Sequence, residues 1–408
     1  MLSKENIKNK ILELSQIGAD EAGGISRVFG SDYMKEATIR VETYFKECGM
    51  ETYVDTVGNV HGILKCGNPD AKELFMGSHL DTVKQGGMFD GLLGVVAAAE
   101  IVRAFVEEKI TLNKNIHVIA SNGEEGNELG GTFGSRTMCG MLDLSSSEFL
   151  KKAEKYGYNE EILKKARLDT KNADCYMELH IEQGPTLYNR KEKIGIVTGI
   201  VGLRRYEIVV NGVSNHAGTT MMEDRDDALV RASKIVLYTD QLARKIGNRL
   251  VATIGVMNVY PGIAPTIPNK CEMILEVRAE SENLLDTFIT KFKEDICTDE
   301  KIKIKEFVRK KPVKCNEELL HSFEEICEKM NLAYEIMPSG ATHDGNAMAT
   351  LMPIEMIFIP SKNGISHSKD EFSEWDDVTD GAQVLYEGVK LRCTEKGCEY
   401  GKRKYSDV

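Results

Sequence analysis

The chain has 408 residues, a formal charge of −12, and 42% hydrophobic and 28% charged residues. That is the make-up of a globular protein too long for one ordinary core, so two domains, or one domain carrying an insertion, are expected. The acidic balance argues against a nucleic-acid partner, which needs a basic surface to displace counterions, and no apolar run is long enough to span a bilayer.

Neither a signal peptide nor a transit peptide is legible ahead of the first charged helical pattern. Ten cysteines without a CxxC pair fit a reduced, cytoplasmic setting. The closest pair, Cys393 and Cys398, reads as incidental, and the basic cluster at 401–404 reads as a solvated tail. Residues 1–50 carry helical patterning, with Val41 to Phe45 on an apolar face. The runs 52–57 and 59–64 around Gly58 read as a hairpin, whose alternation already accounts for His61. Residues 74–76 read as a strand, and 92–106, rich in Ala, Val and Leu, as a helix. Between them the glycine-rich stretch 77–94 holds His79 and Asp90, both good ligands for a borderline divalent metal. Asp81 is placed to hold the second nitrogen of the His79 ring.

Residues 116–120 read as a buried strand, with His117 structural, running into Glu124 and Glu125. These adjacent carboxylates repel each other unless a cation or a shared proton intervenes. Residues 145–172 are charged and helical, 175–181 is a strand ending at His180, and 354–359 is a strand followed by a loop to His367. Apolar strands thus deliver His79 with Asp90, Glu125, His180 and His367 at or just beyond their C-terminal ends. In a doubly wound α/β sheet that edge is where loops converge on a crevice. The composite set suits two divalent ions bridged by a carboxylate.

The middle of the chain differs: strand 204–210, helix 225–242, strands 251–257 and 272–277, helix 284–296 and strand 302–308. That is the β-α-β-β-α-β order of a ferredoxin-like domain. The expected plan is therefore an α/β catalytic domain with a doubly wound mixed sheet, formed by 1–202 and 311–408. It carries an inserted domain at 203–310 and resumes at a helix near Asn316.

Taken together, the segments 78–83, 86–91, 124–126, 180–185, 215–220 and 364–367 resemble the carbamoylase branch of the di-metal aminoacylase and carboxypeptidase superfamily over essentially the whole chain. That branch holds N-carbamoyl-L-amino-acid hydrolases and allantoate amidohydrolases. The resemblance implies that His79 and His180 bind one metal, Asp90 bridges, and Glu125 and His367 complete a second site. It also implies Glu124 as general base, Asp81 as the support of His79, and a strained or cis peptide bond at Asp90–Gly91. Substrate contacts would be His216, Asn269 and Arg278 of the insertion together with Gln183 and His343, with His216 holding the tetrahedral oxyanion.

The implied partners are a small ureido acid and a second copy of the chain, because the insertion is expected to act as lid and dimerisation domain and to serve the other subunit's site. The implied cofactors are two divalent ions per subunit, zinc or manganese, cobalt or nickel. The activity implied is hydrolysis of a ureido C–N bond, with release of ammonia and carbon dioxide. An aminoacylase or dipeptidase on the same scaffold, and a non-catalytic metal-stabilised ligand-binding protein, stay open beside it. Departures from the usual pattern at Asn127, Met221 and Thr342 spare the five ligands and bear on specificity.

Overall fold

A computed structural model describes residues 2–394, so Cys398 and the cluster at 401–404 lie outside the described residues. The chain divides into two compact units, one running to Thr198 and again from Lys314, the other Gly199–Val313. No helix among the described residues is long and apolar enough to cross a membrane.

The discontinuous unit is built on a nine-stranded mixed sheet. Its order is 51–54, 60–64, 115–121, 73–79, 173–181, 354–359, 194–200, 313–314, with 334–339 also paired to 194–200. The four central strands, 115–121, 73–79, 173–181 and 354–359, are mutually parallel. They are near-continuous apolar runs because helices cover both of their faces. Leu92–Glu107 is the most deeply buried helix, with Leu92 through Val102 all inside. Its buried turns are apolar apart from Glu100, which accepts the Tyr44 hydroxyl at 2.7 Å, and so present no solvent face there. Because the four strands run the same way, their C-terminal ends share one edge, and every proposed ligand leaves from it.

The expected hairpin is present as Glu51–Val54 and Val60–Leu64, and His61 is a buried strand residue within it. The charged segment 145–172 forms two short helices, Ser147–Glu154 and Glu160–Lys165, separated where Gly157 takes φ 81° and Asn159 caps the second. At the junction with the second unit, the N–H of Cys315 donates to the carbonyl of Thr198 at 3.1 Å. The chain therefore departs from this sheet and rejoins it at adjacent points.

The second unit has four antiparallel strands, Gly202–Asn211, Val251–Tyr260, Lys270–Ala279 and Ile302–Lys310. Numbered within the unit, they lie in the order fourth, first, third, second. Helices Ala228–Ile246 and Glu282–Ile296 connect the first to the second and the third to the fourth. The core of this unit is its own, with Tyr206, Ile208, Leu275, Phe288 and Phe292 at its centre. The first helix begins three residues later than the pattern predicts. Asp227 caps it by accepting the amides of Leu229 and Val230, which leaves Arg225 outside in extended conformation. The edge strand Val251–Tyr260 exposes Val251, Val256, Met257 and Tyr260.

Candidate metal centre

All five sequence-predicted ligands meet at the C-terminal edge of the parallel strands. Asp90 stands in the middle. Its Oδ1 lies 3.6 Å from His79 Nε2 and 3.2 Å from His180 Nε2, while its Oδ2 lies 3.2 Å from His367 Nε2. His367 Nε2 is in turn 3.4 Å from Glu125 Oε1. Two groups of three thus share one carboxylate, His79 with Asp90 and His180, and Asp90 with Glu125 and His367.

The rings are oriented by the main chain. His79 Nδ1 faces the carbonyl of Asp81 at 2.9 Å, and His180 Nδ1 faces the carbonyl of Ile181 at 2.9 Å. With each Nδ1 turned to a carbonyl, both Nε2 atoms are left facing Asp90. Asp90 Oδ1 and His180 Nε2 are buried without a hydrogen-bond partner. Two ligand atoms about 2.0–2.1 Å from one tetrahedral ion stand about 3.3 Å apart. The observed spacings bracket that value, so the donor set fits divalent cations. Burial opposes charge on His79, but Asp90, Glu124 and Asp81 together raise its pKa well above the ordinary histidine range. A hydrogen bond to Asp90 chiefly holds His367 up, at about 8. Asp90 itself is held well below the carboxylate range by His180, His367 and His79 against the cost of burial. The pocket is thus electrostatically built for positive charge around Asp90.

Two further buried carboxylates tie down the ligand-bearing loops. Asp81 does not hold the His79 ring through its side chain, as expected; its Oδ1 is 3.9 Å from Nδ1. The ring takes the Asp81 carbonyl because the carboxylate is already saturated, accepting the amides of Gly123, Glu124 and Glu125 at 2.8, 3.0 and 3.1 Å. Glu371, which sequence reasoning missed, does the same for the opposite loop. It accepts the amides of Phe89 and Asp90, both at 3.0 Å, and the hydroxyl of Ser366 at 2.9 Å. Its pKa is pushed up to about 7 by burial and then by Asp90. Glycine at 87 is required there, because a Cβ would lie 2.3 Å from Glu371 Oε1.

The Asp90–Gly91 bond is not cis; the one cis peptide among the described residues is Tyr260–Pro261. The tightness expected at 90–91 falls instead on Gly91, with φ 67° and ψ −51°. A Cβ at that position would meet His79 Nδ1 at 2.4 Å. Left-handed backbone also occurs at Gln183, φ 56°, and His367, φ 53°, conformations uncommon for residues with side chains and concentrated at functional sites. The Gln183 amide reaches between them, 3.0 Å from Asp90 Oδ2 and 3.3 Å from His367 Nε2.

Glu124 is buried beside the His79 group. Burial, and then the carboxylates of Asp344, Glu125 and Asp81, push its pKa well above the usual range despite the opposing pull of His79. Behind His180 lies a polar layer absent from the sequence reading. Glu178 accepts from Ser78 at 2.6 Å and Tyr176 at 3.1 Å, and Asp344 takes the hydroxyls of Ser121 and Ser135. His343, expected to touch substrate, is buried in this layer, with Nε2 2.8 Å from Ser339 and its ring centroid 4.6 Å from that of His180.

The other expected substrate residues belong to the second unit. His216 and Asn269 are exposed and Arg278 is partly exposed. Arg278 Nε donates to Glu276 at 2.7 Å. Asn269 precedes the first residue of strand Lys270–Ala279, whereas Arg278 stands next to its last.

Residues 75–390 match the family model described as peptidase family M20/M25/M40. The chain is 34% identical over 406 residues to an N-carbamoyl-L-amino acid amidohydrolase of Geobacillus stearothermophilus, covering 95% of this chain and 98% of that one. It is 33% identical to an allantoate amidohydrolase of Escherichia coli strain K12, covering 94% and 96%. Among solved structures, a hydantoinase/carbamoylase family amidase from Burkholderia multivorans superposes with a TM-score of 0.88 at 28% identity, covering 97% of this chain and 98% of that one.

Proposed function

The chain belongs to peptidase family M20/M25/M40, a family of metal-dependent hydrolases, and we propose that it hydrolyses the ureido C–N bond of an N-carbamoyl-L-amino acid or of allantoate. The observation that carries this reading is the Asp90 carboxylate shared between two groups of ligands, with Glu124 buried alongside. His79, Asp90 and His180 would hold one divalent ion and Asp90, Glu125 and His367 a second, as zinc, manganese, cobalt or nickel. Such ions, when bound, polarise a carbonyl and bring the acidity of water toward neutrality.

The remaining work falls to side chains. Glu124 takes a proton from the attacking water and returns it to the departing nitrogen, a task suited to a carboxylate whose pKa is raised by burial. Asp81 keeps Glu124 and Glu125 in place through their amides, and His343 supports the ring of His180. Gln183 and Asn269 bind the oxygens of the substrate, Arg278 grips its carboxylate with two parallel hydrogen bonds, and His216 donates to the oxyanion. Water adds to the carbamoyl carbon and the C–N bond to the departing nitrogen breaks; the carbamic acid that remains then loses carbon dioxide from its own C–N bond, so that ammonia, carbon dioxide and the free amine result.

We read the second unit as a ferredoxin-like lid and dimerisation domain at 203–310, supported by its strand order. Arg278 lies nine positions beyond Asn269 along the strand, a span of about 30 Å, longer than a small ureido acid. Both can therefore serve one substrate only if different copies of the chain supply them, which favours a homodimer. The exposed edge strand Val251–Tyr260 offers a second copy main-chain groups to pair with. Nine free cysteines among the described residues support a reducing, cytoplasmic setting.

An ammonia-release screen of N-carbamoyl amino acids and allantoate, with the protein loaded in turn with each metal, tests the proposal. Ammonia from ureido acids supports it. Amine release from N-acetyl amino acids or dipeptides alone would move the chain to the aminoacylase or dipeptidase reading.

A further inference from the structure

His216 sits in the loop 215–220, and every main-chain group of that residue is occupied. Its N–H donates to Asn215 Oδ1 at 2.9 Å, and its carbonyl receives the amide of Thr220 at 3.2 Å and the Thr220 hydroxyl at 2.9 Å. The loop is anchored at both sides, Ala217 N–H to Pro265 at 2.9 Å and Ile267 N–H to Asn215 at 2.9 Å. Arg225 braces it from below, with Nε 3.2 Å from the Thr220 carbonyl and Nη2 2.6 Å from that of Ala217. An exposed loop of Gly, Asn and Thr has no packing reason to be this fully determined.

One further hydrogen bond gives that order a chemical meaning. The amide of Gly218 donates to His216 Nδ1 at 3.1 Å. A ring nitrogen that accepts an N–H cannot carry a proton of its own, so the ring proton is confined to Nε2. The amide makes this contact, and a Cβ added at 218 would stand 3.1 Å from His216 Cε1, which a shift of a few tenths of an ångström in the exposed ring relieves.

We propose that Gly218 and Arg225 are positioning residues that lock His216 as the singly protonated Nε2–H tautomer, so that it acts as a fixed hydrogen-bond donor and not as a proton carrier. The inference rests on the reading of His216 as the oxyanion donor. A donor whose proton is already in place when negative charge develops needs no reorganisation at that moment, which is where such groups gain their effect. A ring free to exchange tautomers would present a lone pair to the oxyanion for part of the time.

The test is the long-range nitrogen–proton spectrum of full-length, histidine-labelled protein, with the His216 signals assigned by their loss in His216→Gln. The expected pattern is a protonated Nε2 and a bare Nδ1, retained in Gly218→Ala, which keeps the amide. Gly218→Pro removes the amide, and both tautomers should then appear. Its kcat should fall about 10-fold at little changed KM, against about 10²–10³-fold for His216→Ala, which removes the donor itself. The wild-type spectrum decides the matter even if the proline variant does not fold. A proton on Nδ1, in a neutral or charged ring, overturns the tautomer lock and leaves the proposed hydrolysis standing. Wild-type kcat in His216→Ala overturns the oxyanion role on which the lock depends, whatever the spectrum shows.

Discussion

The carboxylate of Asp81 accepts the main-chain N–H of Glu124 at 3.0 Å, across 43 residues of sequence. Through that bond and its neighbours to Gly123 and Glu125, one buried anion sets the turn on which the proposed base and a proposed ligand both ride. Asp81→Asn keeps the shape but turns an NH2 group toward amides that need an acceptor. Activity and affinity at the centre should each fall about 10–100-fold, read from kcat and from metal titration calorimetry. Unchanged values in both would show that the turn holds without the anion.

Glu124→Gln removes the proton acceptor and spares the ligand set. Turnover of a ureido acid should drop about 10²–10⁴-fold, while the metal content found by elemental analysis stays at the wild-type level. A variant that kept the wild-type rate would transfer the base role to another group.

His367 is the half-exposed member of the set, its side chain 50% accessible, whereas His79 and His180 are buried. On the proposed two-ion centre, replacing it by Ala should lower the bound stoichiometry by one. His180→Ala should disturb the deeper group of three, His79, Asp90 and His180. Chelation should lower the melting temperature, since a ligand held at 100 times its Kd stabilises by about 2.7 kcal/mol. An unchanged melting curve after complete metal removal would argue against ions that bind the folded state.

Glu355 tests the fold apart from the centre. It lies in strand Ile354–Ile359 with both carboxyl oxygens buried and unpartnered, and burial raises its pKa well above the usual range. A raised folded-state pKa contributes stability below the unfolded value of about 4.3 and loses it as pH climbs through the folded value. Glu355→Met should therefore stabilise the chain by about 1–3 kcal/mol near neutral pH, with the gain shrinking toward pH 4. Melting temperatures of both proteins across that range measure it, and a gain that grows on acidification would reverse the assigned sign.

The parallel strands and the convergence of the five proposed ligands were legible because each strand is a short apolar run with a chemically distinctive residue at or just beyond its end. What stayed hidden depends on contacts distant in sequence. Nothing local marks Glu371 as the partner of amides 281 and 282 residues away. Nor does the His-X-Asp spacing reveal that Asp81 spends its carboxylate elsewhere. The final helix, Trp375–Cys393, lacks a strong helical signal because it contains Gly381 and Gly388. Those glycines let it approach Ile359 and Phe323, where added Cβ atoms would stand 2.4 and 2.5 Å away. Strand Ile194–Ile200 is likewise interrupted by Gly195 and Gly199, and packing with its neighbours supplies what local propensity lacks.

The 3.1 Å hydrogen bond between Cys315 and Thr198 makes the whole 199–313 segment a graft with touching roots. Both ends of that segment leave from neighbouring positions of one sheet, so a change of length or composition inside it need not alter the spacing of Thr198 and Cys315, while the proposed metal ligands at 79, 90, 125, 180 and 367 are all carried outside it.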